Sequence, residues 1–100
     1  MEIFFDPAKS LKNEAERQLP FDKAIDFDWD TAISWDDDRF KYPERRILSI
    51  GFLGTRLHLM CFTPISEELV RIISFRKANK REVRFYEKAS KEQAINDPRW

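Results

Sequence analysis

The sequence predicts an α+β fold in which N-terminal helices and a closing C-terminal helix pack on an antiparallel sheet. Two observations carry this. Three apolar runs, Arg46–Leu53, Arg56–Thr63 and the β-branched stretch from Leu69 to Phe75, follow one another with only short turn segments between them, as the strands of a meander do. On either side of them, apolar residues recur at spacings of three and four, the period of a helix.

Taken from the N-terminus, Ile3–Phe5 is a short strand ended by Asp6-Pro7. Asp6 can cap a helix and Pro7 suits its first position, where no backbone donor is needed. That helix is expected from Ala8 to about Arg17, with Leu11 and Ala15 on its core side and Pro20 closing it. Phe21, Ala24, Ile25 and Asp28 have helical spacing and predict a second, short helix. Trp29 to Pro43 reads as a loop, although Ile33 and Trp35 alternate as a strand does. Gly54-Thr55 joins the first two apolar runs as a hairpin, because glycine supplies the positive φ a tight turn requires. Pro64, Ser66 and Glu67-Glu68 lead into the third, so a three-stranded antiparallel meander forms the core, extended by Ile3–Phe5. Asn79 and Glu82 have the spacing of a capping box, and the closing helix then runs from Lys80 to about Gln93. Residues 1–93 are expected to form a single domain and 94–100 a tail, with Asn96-Asp97-Pro98 as its breaker.

A chain of 100 residues with fourteen aromatics, two glycines and five prolines fits a folded domain with one modest core. Cys61 is the only cysteine, which excludes an intrachain disulfide and fits a reducing cytoplasm. The apolar start is too short for a signal-peptide core, and no later stretch is long enough to span a bilayer, so neither export nor membrane insertion is expected. The 18 basic and 18 acidic residues balance only on average. Seven aspartates between positions 22 and 38 face Lys23 alone, whereas Arg71, Arg76, Lys77, Lys80, Arg81, Arg84, Lys88 and Lys91 face only Glu82 and Glu87. A surplus of that kind attracts phosphate or an acidic partner.

The chemistry-bearing residues are sparse. His58 is the lone histidine and would be the obvious general base near neutral pH, yet with no second histidine or nucleophile pattern it reads as a strand-face residue. A zinc site lacks ligands, Asp36-Asp37-Asp38 reads as a solvated loop rather than a magnesium site, and no glycine-rich phosphate loop exists, so neither metal nor cofactor is expected. Arg71 and Arg76 are the stronger anion-binding candidates, since strand positions are preorganised and an Arg fork grips two phosphate oxygens. In a regular strand they point to opposite faces, so sharing a site requires a bulge or a position past the strand end. Tyr86 lies on the sheet-facing side of the closing helix, where its hydroxyl can pack wet or bond a phosphate.

These residues together resemble the BrnT family of toxins from bacterial type II toxin–antitoxin pairs, related in fold to the RelE and ParE toxins. The resemblance covers about residues 3–90. It rests on Phe5-Asp6-Pro7-Ala8-Lys9 with Asn13, on Leu19-Pro20-Phe21 with Ala24, on Glu44-Arg45 before a strand ending near Gly51, on the hairpin with Gly54, and on Arg71–Ala78 followed by Glu82 and Tyr86. It implies a small RelE-like domain and a ribonuclease that cleaves RNA without a metal and stops translation. It also implies a ribbon-helix-helix antitoxin that covers the toxin and carries the pair to operator DNA. On this resemblance Arg71 and Arg76 would stabilise phosphorane charge, Tyr86 would orient the phosphate, and Lys9, Lys77, Arg81 and Arg84 would bind RNA. Many members carry Lys-His-Gly where this chain has Glu16-Arg17-Gln18. If that histidine is essential, the chain is weak, inactive or dependent on another group such as His58 or Glu68. The rival readings are a noncatalytic docking module for an acidic partner, and a nucleic-acid-binding regulator without a nuclease site.

Overall fold

The computed structural model describes residues 1–96. Helix α1 (Pro7–Arg17) begins as the sequence dictates: Asp6 is extended, and its carboxylate accepts from the Ala8 N–H at 2.9 Å. It ends where Gln18 turns left-handed at φ 56° and returns its N–H to the Glu14 carbonyl. The core-facing side of α1 differs from the expected one. Leu11 and Ala15 are exposed, and Ser10 and Asn13 are buried instead. The reason lies in backbone groups that need partners. Ser10 Oγ accepts from the Phe21 N–H, while Asn13 Nδ2 donates to the carbonyls of Leu19 at 2.7 Å and Phe75 at 2.9 Å.

The expected second helix is a 3-10 helix, Phe21–Asp26, which sinks Phe21 and Ala24 into the core. Residues expected to be loop contain a strand. β2 (Ile33–Asp36) pairs antiparallel with β3 (Ile47–Leu53), Ile33 opposite Ile50 and Trp35 opposite Leu48. β3, β4 (Arg56–Pro64) and β5 (Leu69–Lys77) form the meander, turning at Gly54, whose φ is +63°. β1 (Glu2–Phe4) adds to β5, but parallel rather than antiparallel, giving the order β1-β5-β4-β3-β2.

On one face of the sheet, Met60, Phe62, Val70, Ile72 and Phe75 pack with Leu19, Phe21, Ala24 and Phe27. Each fully buried large side chain contributes about 1.5–3 kcal/mol relative to exposure. Gly51 belongs to this face by necessity, because a Cβ there would stand 2.6 Å from Phe27 Cζ. The opposite face is shared. Helix α2 (Lys80–Asn96) covers Ile50, Leu57 and Ala78 with Val83 and Tyr86. α2 runs past the expected end at Gln93 to Asn96, so the first residue of the expected Asn96-Asp97-Pro98 breaker is helical, and Asp97-Pro98 lie outside the described residues. Its capping box forms as predicted, with Glu82 N–H on Asn79 Oδ1 at 2.8 Å and Asn79 N–H on Glu82 Oε1 at 2.9 Å.

Of the three aspartates read as solvated, Asp36 and Asp38 are exposed, but Asp37 is not. Asp37 is buried and takes two bonds from Arg39, at 2.8 and 2.9 Å, and one from Tyr42. Those bonds, Arg39 first, hold its carboxyl down at about 2 against the cost of burial. Asp36 pairs with Arg45, and Arg46 stacks 4.1 Å over the Tyr42 ring. The single thiol, Cys61, is buried, and that burial pushes it above its ordinary value, so it is a packing residue.

Candidate functional site

At the end of the sheet where β5 meets α2, a hollow of about 780 Å³ opens between α1, the 3-10 helix, the β3–β4 turn and the ends of β4 and β5. α1 delivers Arg17 and Gln18, the 3-10 helix Lys23 and Asp26, β4 His58, and β5 Arg76 and Lys77. Asn13 fixes this arrangement. By bonding the Phe75 carbonyl it ties α1 to the part of β5 that β1 leaves unpaired, and its Oδ1 accepts from Arg17 at 2.9 Å.

Four cations and one acid make the hollow electropositive. Arg76 is largely neutralised, its guanidinium making two 2.9 Å bonds to the Glu82 carboxylate. Burial pushes Glu82 up, but the bonds from Arg76 and Asn79 outweigh it and leave the carboxyl below its ordinary value. Lys23 and Lys77 enter no ion pair among the described residues. They are the cations best placed to meet an incoming anion.

His58 forms part of the wall. Its Nδ1 lies 2.9 Å from the Arg56 carbonyl, which can only accept, so the proton sits on Nδ1 and the lone pair on Nε2. Burial, reinforced by the Arg56 and Lys77 charges, keeps the ring below its ordinary 6.5 although the Arg56 bond opposes this. It is therefore neutral near pH 7.

The predicted basic set is spread over several places. β5 does carry a bulge: the register passes from Cys61 opposite Ser74 to Phe62 opposite Ile72, leaving Ile73 unmatched. The bulge puts Arg71 and Arg76 on the same face, opposite Thr63 and Leu59, but far apart along the strand. Arg71 bonds Glu44 at 3.1 Å, a carboxylate it shares with Arg46, and lines a smaller hollow of about 210 Å³ with Lys9 and Asp6. Arg81 borders an apolar hollow with Trp35 and Phe85, and Arg84 another with Arg56 and Tyr86. Tyr86 is buried, edge-on to Phe52, and its hydroxyl donates to the Thr31 carbonyl at 3.1 Å. Of the predicted residues, only Arg76 and Lys77 line the large hollow. Arg17 is noticed in the sequence only as a departure from Lys-His-Gly, and Lys23 only beside the aspartates, since single cations on short helical segments look like ordinary surface. Glu68 stands at the other end of β5, nine residues long, and so about 25 Å from His58. Among the described residues no group of three His, Cys, Asp or Glu side chains comes together as metal ligands.

An α+β domain with a cationic hollow at one end of its sheet is suited to gripping a phosphate backbone. The comparisons agree with that class and narrow it. The family model described as the ribonuclease toxin BrnT of type II toxin–antitoxin systems matches residues 5–82. Among solved structures, the 1.1 Å crystal structure of the Brucella abortus ribonuclease toxin BrnT is similar. It shares 26% identity at a TM-score of 0.62, over 80% of this chain and 99% of that one. A search of curated proteins finds no match. The chain belongs to the BrnT family of ribonuclease toxins, and a type II pair implies an antitoxin partner. Arg17 and Gln18, at two of the positions that depart from Lys-His-Gly, both face the hollow.

Proposed function

We propose that this chain is a ribonuclease toxin that cleaves RNA at the cationic hollow without a metal ion. The observation that carries the reading is the gathering of Arg17, Lys23, Arg76 and Lys77 around one space. In metal-free cleavage the 2′-hydroxyl attacks the adjacent phosphorus and negative charge builds on the phosphorane oxygens. Fixed cations in a partly water-excluded site stabilise that charge more than the ground state. Lys77 fills this role with Lys23, Arg76 adds to it when RNA phosphate displaces Glu82 from its guanidinium, and Lys9, Arg71, Arg81 and Arg84 hold the flanking backbone. Tyr86 acts through position, tying α2 to the Thr31 turn beside the sheet. Cleavage in the cytoplasm stops translation, and a ribbon-helix-helix antitoxin restrains the toxin and carries it to operator DNA.

The test is induction of the chain in bacteria with mapping of new RNA 5′ ends, and cleavage of a transcript in excess chelator. Growth arrest and new ends are expected, abolished by Lys77→Ala, which breaks no ion pair. Cleavage should persist in chelator, and coexpression of a ribbon-helix-helix antitoxin, sought in the reading frames beside this one, should restore growth. Normal growth with unchanged RNA and soluble protein would sink the nuclease and leave a docking module. In that module, Glu44 and Glu82 simply occupy Arg71 and Arg76.

A further inference from the structure

RNA cleavage of this kind needs a group to remove the 2′-hydroxyl proton, and cations alone cannot do it. The chain has one histidine, and the fold places it in the wall of the hollow rather than elsewhere on the sheet. Its orientation is fixed twice. The Arg56 carbonyl holds Nδ1, and the ring packs against Phe75 with centroids 5.5 Å apart. Nε2 bonds nothing among the described residues, yet it is not one of the two side-chain atoms there that are both buried and unpaired, Thr63 Oγ1 and Arg71 Nε. His58 keeps 4% of its surface exposed and lines the hollow, the side from which its unpartnered nitrogen can be reached. A histidine present only for packing gains nothing from this, whereas a base requires it.

We propose that His58 Nε2 is the general base of this toxin, accepting the 2′-hydroxyl proton of RNA bound in the hollow. The assignment rests on the ribonuclease reading above. The 2′-oxygen bonds to phosphorus as its proton passes to Nε2, and the bond from phosphorus to the 5′-oxygen breaks. The departing 5′-oxygen takes a proton from water, and the imidazolium returns its own to solvent, leaving a 2′,3′-cyclic phosphate and a 5′-hydroxyl. The charges that act on the ring are Arg56 and Lys77 on the strands, while Arg17 at the end of α1 and Lys23 and Asp26 on the 3-10 helix line the same hollow. Arg56 and Lys77 favour the neutral imidazole. Asp26, exposed at the rim, is the rival base.

The experiment measures single-turnover cleavage of a single-stranded transcript by the full chain from about pH 4.5 to 8. It is run beside His58→Gln, His58→Ala and Asp26→Asn, with RNA binding followed separately. Wild-type cleavage should fall with a one-proton limb below pH 6.5. His58→Gln should lose about 10²–10³-fold in rate and the limb, with binding nearly unchanged, and added imidazole should partly restore His58→Ala. A substitution that fails to fold does not end the test. Because the histidine is unique, diethyl pyrocarbonate on the wild type should abolish cleavage, hydroxylamine should restore it, and bound RNA should protect. His58→Gln within about threefold of wild type, or a limb removed by Asp26→Asn instead, overturns the assignment while leaving the ribonuclease standing. No cleavage by the wild type at any pH overturns both.

Discussion

Replacing Glu82 with glutamine separates the two tasks of that side chain, holding the start of α2 and holding Arg76. In the native protein Oε1 accepts from the Asn79 N–H, and both carboxylate oxygens take parallel bonds from the Arg76 guanidinium, all at 2.9 Å. Glutamine keeps the shape and one oxygen for the cap. It loses the charge and turns an amide NH₂ toward a guanidinium that can only donate. The pair is intermediate in burial, with side chains 37% and 19% exposed. Exposed pairs contribute about 0–1 kcal/mol and hydrogen bonds to charged groups about 1.5–3, so a loss of about 1.5 kcal/mol is expected near pH 7. For a chain of 100 residues that lowers Tm by about 6–12 °C.

The pH dependence supplies the sharper check. The native Glu82 carboxyl titrates below its ordinary 4.5, so on acidification the unfolded chain takes up this proton first. The contribution is complete above pH 4.5 and is lost as pH falls through the native value. Melts of Glu82→Gln and wild type, followed by circular dichroism from about pH 7 to 3, should converge on the acid side. A Tm within about 2 °C of wild type at neutral pH, or a gap that stays constant to about pH 3, would refute the argument.

Gly51→Ala drives a methyl into Phe27 Cζ at 2.6 Å, against a ring already held edge-on by Trp29 and Phe75. Urea unfolding should show a loss of about 1–3 kcal/mol, part of it relieved by adding Phe27→Leu; a neutral Gly51→Ala would show that the core yields there. Asn13→Ala strips the buried donor from the Leu19 and Phe75 carbonyls. It should cost about 2 kcal/mol in the same assay, and Asn13→Asp, which lacks the donor, should not rescue it.

The parts of the fold legible in the sequence were those fixed by local chemistry. Asp6-Pro7 sets the start of α1, Gly54 the hairpin, and Asn79 with Glu82 the start of α2. β2 was not legible, because four residues of weak alternation become a strand only when β3 offers an edge to pair with. The inward side of α1 was misread for a related reason. Periodicity ranks Leu11 above Asn13, but the buried position goes to the residue that can satisfy two stranded carbonyls.

The basic surplus after Leu69 and the uniqueness of His58 were likewise written in the chain. Which charges act together was not. The Ile73 bulge, the carboxylates of Glu44 and Glu82, and the turn of α1 toward β5 divide the cations among separate hollows. Sequence determined the meander, the two α-helices, the charge and the family, because these follow from local spacing and residue type. Tertiary structure alone decided that His58 shares a cavity with Arg17, Lys23 and Lys77, because that depends on contacts between segments up to sixty residues apart along the chain.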